Sequence, residues 1–299
     1  MSLPTQITAH ADPSIAPLHL KGFAQMRWAV NNPPANPAVT FADKTILVTG
    51  ANTGLGFEAA VHYASKSCAR LILAVRTQEK GAEAKRQILL RSGRKEERDF
   101  ISVMIVDLAH FHSVKAFAVA LEAETKSSGL HVALLNAGLT LPKYTPGPHG
   151  YETALQVNVL GTALMALHIL PILRRTAHTA EDPPHLTFVN SAGHIETQRA
   201  WYANHDNLLA YLNDPKMYGI KESYCGVKTL GMAVMQHFAR ETKGEDIVVN
   251  ACCPFLTRTS LGRYYAKPIQ VAFGWWQMIT ARSAEEGARY VRCVMFRVR

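Results

Sequence analysis

The sequence lacks most of the marks of a secreted or membrane-spanning chain. Cysteine is sparse: five residues in 299 (Cys68, Cys225, Cys252, Cys253 and Cys293), with no Cys-x-x-Cys. That scatter argues against a disulfide framework and suits reduced thiols in a cytoplasmic protein. The N-terminus, MSLPTQITAHADPSIAPLHLKG, has no apolar run of the kind a secretory signal needs. Long hydrophobic runs are missing too. The most apolar stretch, VLGTALMALHILPIL at 159–173, is too short to span a bilayer and is broken by His168 and Pro171, so a buried helix is expected there and no membrane span. Internal repeats and low-complexity tracts are absent. Acidic residues are outnumbered, 23 against 32 basic ones, for a net charge of +9. The densest basic run, RSGRKEER at 91–98, carries two glutamates and no recognition motif, so no nucleic-acid partner is expected. A basic chain also suits an anionic, phosphate-bearing ligand.

What is present is a globular composition, 48% hydrophobic and 18% charged. Residues 1–43 look like a leader, proline-rich around NNPPANPAV, and residues 44–299 read as one domain. From residue 45 short β-branched runs alternate with longer helical patterns. Strands are expected at 45–49, 71–75, 101–106, 131–135, 185–190 and 246–252. Helices are expected near 54–66, 78–91, 111–125, 151–174 and 222–242. This rhythm predicts an α/β fold: a doubly wound parallel sheet of Rossmann type with helices on both faces. In such sheets ligands bind beyond the carboxyl ends of the strands, so chemistry should collect there.

It does. The first strand runs into TGANTGLG, residues 49–56. Gly50 permits a tight turn, Gly54 a close approach to a pyrophosphate, and Gly56 close packing of helix on strand. The second strand ends in LILAVRT. Val75 stands where a ribose-binding carboxylate is usual, and Arg76 follows. A guanidinium pairs with a 2′-phosphate that a carboxylate would repel, which favours NADP over NAD. Further polar residues close the next three strands: Asp107, Asn136 in LNAG and Ser191 in VNSAG. Asn158 interrupts an apolar helix as either a hydrogen-bond hub or part of a proton path. In ESYCGVKTLG, Tyr224 and Lys228 lie four positions apart and share a helix face.

In this order the residues resemble the short-chain dehydrogenase/reductase family, over roughly residues 43 to 260. The pairing of TGANTGLG with AVRT is most similar to its NADPH-preferring, retinol-dehydrogenase-like branch, and the leader resembles fungal members from secondary metabolism. The resemblance implies a catalytic set of Asn158, Ser191, Tyr224 and Lys228. Tyr224 would be the general acid or base, its pKa lowered by the Lys228 ammonium and the cationic nicotinamide. Ser191 would polarise the substrate oxygen, and Asn158 would anchor a water linking Lys228 to solvent. The implied cofactor-binding set is Gly50, Asn52, Thr53, Gly54, Leu55, Gly56, Arg76, Asp107, Asn136, Ala137, Gly138, Tyr224, Lys228 and Thr259. No metal is implied, and a homodimer through residues 151–174 and 222–242 is the family's habit.

Three departures from the pattern stand out. Ser191 and Tyr224 are separated by an insertion at about 194–222, rich in aromatics (Trp201, Tyr202, Tyr211, Tyr218), which is expected to contact substrate. Its His194 and His205 have no third ligand at metal spacing. Phe255 replaces a glycine after Pro254, so the loop before Thr259 is expected to run differently. The sequence after RSAEEGARYVRC offers only VMFRV, at 294–298, as a substitute for the usual seventh strand, whose loss would leave an open edge. Together these features predict an NADP(H)-dependent oxidoreductase acting on a carbonyl or secondary alcohol of a bulky apolar small molecule. The alternative is a catalytically weak NADP-binding protein with an unfinished pocket. The aromatics of RYYAKPIQVAFGWWQM, at 263–278, fit a substrate wall, a core or a partner-facing surface.

Overall fold

The computed structural model describes residues 20, 22–36, 39–95 and 97–293. Six strands, β1 (Thr45–Thr49), β2 (Arg70–Val75), β3 (Ile101–Ile105), β4 (Val132–Leu135), β5 (His185–Val189) and β6 (Val248–Cys252), form one parallel sheet in the order β3-β2-β1-β4-β5-β6. The strand order reverses direction between β1 and β4, which opens a crevice above their carboxyl ends.

Alternation along the strands supplies two cores. Ile46 and Val48 of β1 join α2 (Gly54–Ser65) and α3 (Gln78–Ser92) on one face. Leu47 joins α4 (Phe111–Glu124), α6 (Thr162–Ala177) and α8 (Ile220–Glu241) on the other. All five β1 residues are buried, as a strand covered on both faces requires.

The single helix expected over 151–174 is divided. One turn, α5 (Thr153–Leu155), leads into a π-helical turn (Gln156–Gly161) and then α6. The Thr162 hydroxyl donates to the Val157 carbonyl at 3.0 Å, a partner five residues back, and Gly161 passes so close to Leu108 that a Cβ would lie 3.0 Å from its carbonyl carbon. The helical run Thr153–Ala177 is long and apolar enough to cross a membrane, but Met165, Ala166, Ile169, Leu170 and Leu173 are spent in the core.

The segment read as a leader contains a helix, α1 (Gly22–Asn31), packed on α9 (Lys267–Thr280), with Arg27 donating to the Ile279 carbonyl at 3.0 Å. Arg282, between α9 and α10 (Ala284–Cys293), is 1% exposed and donates to the carbonyls of Ala29 (2.6 Å) and Asn32 (3.0 Å). Its guanidinium also lies over Tyr290 at 4.7 Å and Phe255 at 5.8 Å. Helix α9 is turned inside out. Ile269, Val271, Phe273, Trp275 and Met278 face solvent, while the polar Gln270 and Gln277 are half-buried. Among the described residues the sheet ends at β6. The VMFRV run considered as a substitute strand lies outside them.

Candidate active site

The glycine turn is held in shape from beneath. Thr49, buried at the end of β1, accepts hydrogen bonds through Oγ1 from the amides of Asn136 (2.9 Å) and Ala137 (3.0 Å). Asn136 in turn donates from Nδ2 to the Thr49 carbonyl at 2.9 Å. Gly50 and Gly54 have φ of 67° and 58°, where other side chains are strained, and a Cβ on Gly56 would lie 2.7 Å from the Gly50 carbonyl oxygen. Thr53, the N-cap of α2, makes no side-chain cap, so the first amides of α2 are left to an incoming acceptor. Asn52 is half-buried beside it, whereas the Leu55 side chain is buried in the core. The cradle fits a dinucleotide pyrophosphate.

Asn158 uses both ends of its amide on Leu139, accepting from its N–H at 2.9 Å and donating to its carbonyl at 2.8 Å. This pins the loop that carries Gly138, whose Cβ would lie 3.3 Å from Asn158 Oδ1. Asp107 caps its own turn, with Oδ1 accepting from the Ala109 amide at 2.9 Å.

Ser191, Tyr224 and Lys228 are brought together above β5. Asn190 does this. It is buried and donates from Nδ2 to the Lys228 carbonyl at 3.1 Å, while its Oδ1 accepts from the Ser191 amide at 2.9 Å. It thus ties the end of β5 to the turn of α8 that bears the lysine. Sequence reasoning passed over it, although it ends a strand directly before Ser191. Gly193 lets the tyrosine close in, since a Cβ there would lie 3.2 Å from Tyr224 Cε1 and 3.5 Å from Ser191 Oγ. Lys228 Nζ stands 5.9 Å from the centre of the Tyr224 ring. Burial raises the Tyr224 pKa above the ordinary phenol value, opposed by the Ser191 hydrogen bond. Burial also lowers that of Lys228. In the protein alone, removal from water sets the direction for both groups.

The insertion serves mostly itself. Its helix α7 (Leu208–Leu212) buries Leu208, Tyr211 and Leu212 against Val227 of α8 and Val159 of the π-helical turn, with Trp201 and Tyr202 packed alongside. Tyr211, Trp201 and Tyr202 thus belong to a satellite core. Tyr218 donates to the Leu141 carbonyl at 2.8 Å, and burial pushes its pKa to about 12. His205 pairs with Asp214 at 3.4 Å, and His194 Nδ1 sits 2.7 Å from the Ser191 carbonyl. A shallow cavity of about 480 Å³ lies on the insertion, lined by Arg199, Tyr202 and Leu230 among others, and includes none of the catalytic candidates.

The segment after β6 crosses the groove. Phe255 adopts φ 61°, the left-handed conformation its side chain was expected to prevent. Thr257 Oγ1 donates to the carbonyls of Pro254 (3.0 Å) and Phe255 (3.3 Å), and Arg282 bridges to both sides of Thr257, accepting from the Arg258 amide (2.8 Å) and donating to the Leu256 carbonyl (3.0 Å). These contacts offset a backbone cost of about 1–2 kcal/mol. Beyond them the segment touches the groove at three places. Thr259 lies against Gly54, where a Cβ would be 3.3 Å from its own, and Ser260 Oγ is 3.3 Å from Thr53 Oγ1. Tyr265 Oη is 3.3 Å from Thr140 Oγ1. At the end of β2, Tyr264 Oη accepts from both terminal nitrogens of Arg76 at 3.4 Å. Trp275 and Phe273 of α9 are exposed, not core.

Known proteins resemble this chain in sequence and in fold. A family model described as short chain dehydrogenase matches residues 44–180. The chain is 38% identical over 262 residues to the short-chain dehydrogenase/reductase ffsI of Aspergillus flavipes, covering 88% of this chain and 76% of that one. It is 36% identical to the short-chain dehydrogenase/reductase phmF of Phaeosphaeria nodorum, covering 89% and 78%. Among solved structures, a short-chain dehydrogenase/reductase of Caenorhabditis elegans with cofactor superposes with a TM-score of 0.64 at 18% identity, covering 86% of this chain and 92% of that one. A short-chain dehydrogenase of Sphingobium yanoikuyae in complex with NADPH gives 0.60 at 17% identity, covering 84% and 83%.

Proposed function

Because this chain belongs to the short-chain dehydrogenase/reductase family, we propose that it is an NADP(H)-dependent reductase of a ketone or aldehyde on a bulky apolar small molecule, of the kind met in secondary-metabolite biosynthesis. The observation that carries the reading is the convergence of Ser191, Tyr224 and Lys228 above β5, fixed there by Asn190. Arg76 at the end of β2, in place of a carboxylate, supports NADP over NAD.

In this reading Gly50, Asn52, Thr53, Gly54, Leu55 and Gly56 hold the pyrophosphate through main-chain groups. Asp107, Asn136, Ala137, Gly138 and Thr259 shape the rest of the groove. The nicotinamide, when bound, supplies the hydride. The chain's own residues manage the proton. Ser191 Oγ holds the substrate carbonyl oxygen and polarises it. Burial raises the Tyr224 pKa and so favours the protonated form, the state a general acid needs, and its Oη gives that proton to the oxygen as charge develops. The Lys228 side chain, one helical turn away, then stabilises the phenolate and reaches the nicotinamide ribose. Asn158 acts as a positioning residue, fixing the Gly138–Leu139 floor of the groove. Free Cys68, Cys225, Cys252 and Cys253 fit a cytoplasmic setting, and pairing of two copies through α6 and α8 belongs to the same reading.

The test is NADPH oxidation followed by absorbance against a panel of aromatic and fused-ring ketones. Ketone-dependent oxidation is expected with at least one member. Tight NADPH binding with no ketone-dependent oxidation would instead favour a cofactor-binding protein without turnover.

A further inference from the structure

We propose that Tyr264 and Arg263, from the segment that crosses the groove, complete the site for the cofactor's 2′-phosphate together with Arg76, and so help set the preference for NADP over NAD. The inference rests on the NADP reading above and adds two residues to it, of which Tyr264 lies 188 positions from Arg76 in sequence.

The placement follows from the order of contacts along the groove. The same segment lies over the glycine turn through Thr259 and Ser260, where a pyrophosphate is cradled. A few residues further on, it reaches the end of β2, where the ribose of a dinucleotide lies in folds of this type. There Tyr264 Oη accepts from Arg76 Nη1 and Nη2, both at 3.4 Å, and the Arg263 guanidinium stands 4.9 Å from the centre of the Tyr264 ring. Two guanidinium groups thus flank one phenol hydroxyl, whose lone pairs face Arg76 and whose proton remains to be given.

The chemistry of this cluster is that of a phosphate receptor. Burial raises the Tyr264 pKa, but the hydrogen bonds and charges of Arg76 and Arg263 together outweigh it and bring the phenol below its ordinary value. A more acidic phenol is a stronger donor to an anionic oxygen. Arg76 alone would offer a single fork. With Arg263 it gives two cations, and with Tyr264 a directed donor between them. The crossing segment itself brings no carboxylate: from Ile247 to Ala284 the sequence contains Arg258, Arg263, Lys267 and Arg282 but no Asp or Glu. Tyr264 is 40% exposed, so the hydroxyl is open to a ligand entering the groove. NAD, with a neutral 2′-hydroxyl, gains little from such a cluster.

The experiment measures dissociation constants for NADPH and NADH, by the quench of protein fluorescence, in the wild type and in Arg263→Met, Arg263→Lys and Tyr264→Phe. Thermal melts check that each variant is folded. Arg263→Met is expected to weaken NADPH about tenfold while leaving NADH within about twofold, as loss of a charge-assisted contact to phosphate predicts. Tyr264→Phe should do the same to a smaller degree, and Arg263→Lys should restore part of the preference. Equal weakening of NADPH and NADH would overturn the inference, since it would assign these residues to closing the groove in general. So would an unchanged preference in all three variants. A wild type that binds NADH as tightly as NADPH would instead sink the underlying NADP reading.

Discussion

The cofactor cradle and the segment that crosses it are built on different terms. The cradle is held by main chain and buried amides: Thr49 to Asn136 and Ala137, Asn158 to Leu139, Asn190 to Lys228 and Ser191. Apart from the Asn190–Ser191 bond between adjacent residues, they close between the ends of neighbouring strands or between a strand end and the helix covering it. The crossing segment is held by side chains that reach far in sequence. Arg282 grips α1, and Tyr264 meets Arg76. Helix α9, which follows, turns its apolar residues outward. The difference teaches that the cradle is prepositioned by the sheet, while the course of the crossing segment depends on contacts that a single side chain can release.

Several changes would break or sharpen that contrast. Tyr224→Phe removes the proton donor from the sheet side without touching the cradle. Ketone reduction should fall roughly 10²- to 10⁴-fold, with NADPH affinity unchanged within about twofold by titration. Gly56→Val would force side-chain bulk onto the Gly50 carbonyl and Asn136. NADPH binding should weaken by on the order of a hundredfold, about 3 kcal/mol. Arg282→Met acts on the other side of the comparison. It leaves the Ala29 and Asn32 carbonyls without their buried donor, so urea unfolding should show a loss of about 2–3 kcal/mol and α1 should become cleavable by protease.

The smallest effect is a pH dependence confined to the sheet. Burial lowers the His185 pKa to about 4. Between that value and about 6.5 the unfolded chain binds a proton that the folded chain refuses, so stability is full above about 6.5 and falls as the pH drops toward 4. The loss should be on the order of 2 kcal/mol, and His185→Gln should flatten it in urea titrations at pH 7 and pH 5.

The sheet side was legible in the sequence because its signals are local. Strand-length apolar runs ending in Thr49, Asn136 and Ser191 announced both the fold and the groove, and the Tyr224–Lys228 spacing needed only one helical turn. Asn190 was readable by the same rule and was hidden only by the serine beside it. The rest depended on distance. Nothing around Arg282 in sequence points to α1, some 250 residues earlier. Phe255 was expected to bend the loop away from its glycine-like course. The sequence could not reveal that Thr257 and Arg282 would clamp the left-handed turn. The rings of the insertion were hard to place for a related reason: aromatic content looks alike whether the rings face a ligand or, as with Tyr211, a small core of their own.

The central claim is that the groove delivers hydride to a carbonyl while Tyr224 delivers the proton. The most direct measurement uses NADPH deuterated on the nicotinamide carbon that gives up hydride, with a ketone that the wild type turns over. Mass spectrometry of the alcohol should find one deuterium on the carbinol carbon, formed by wild type and nearly absent with Tyr224→Phe. Alcohol without deuterium from either isotopic face of the cofactor, or equal yields from the two proteins, would contradict the account.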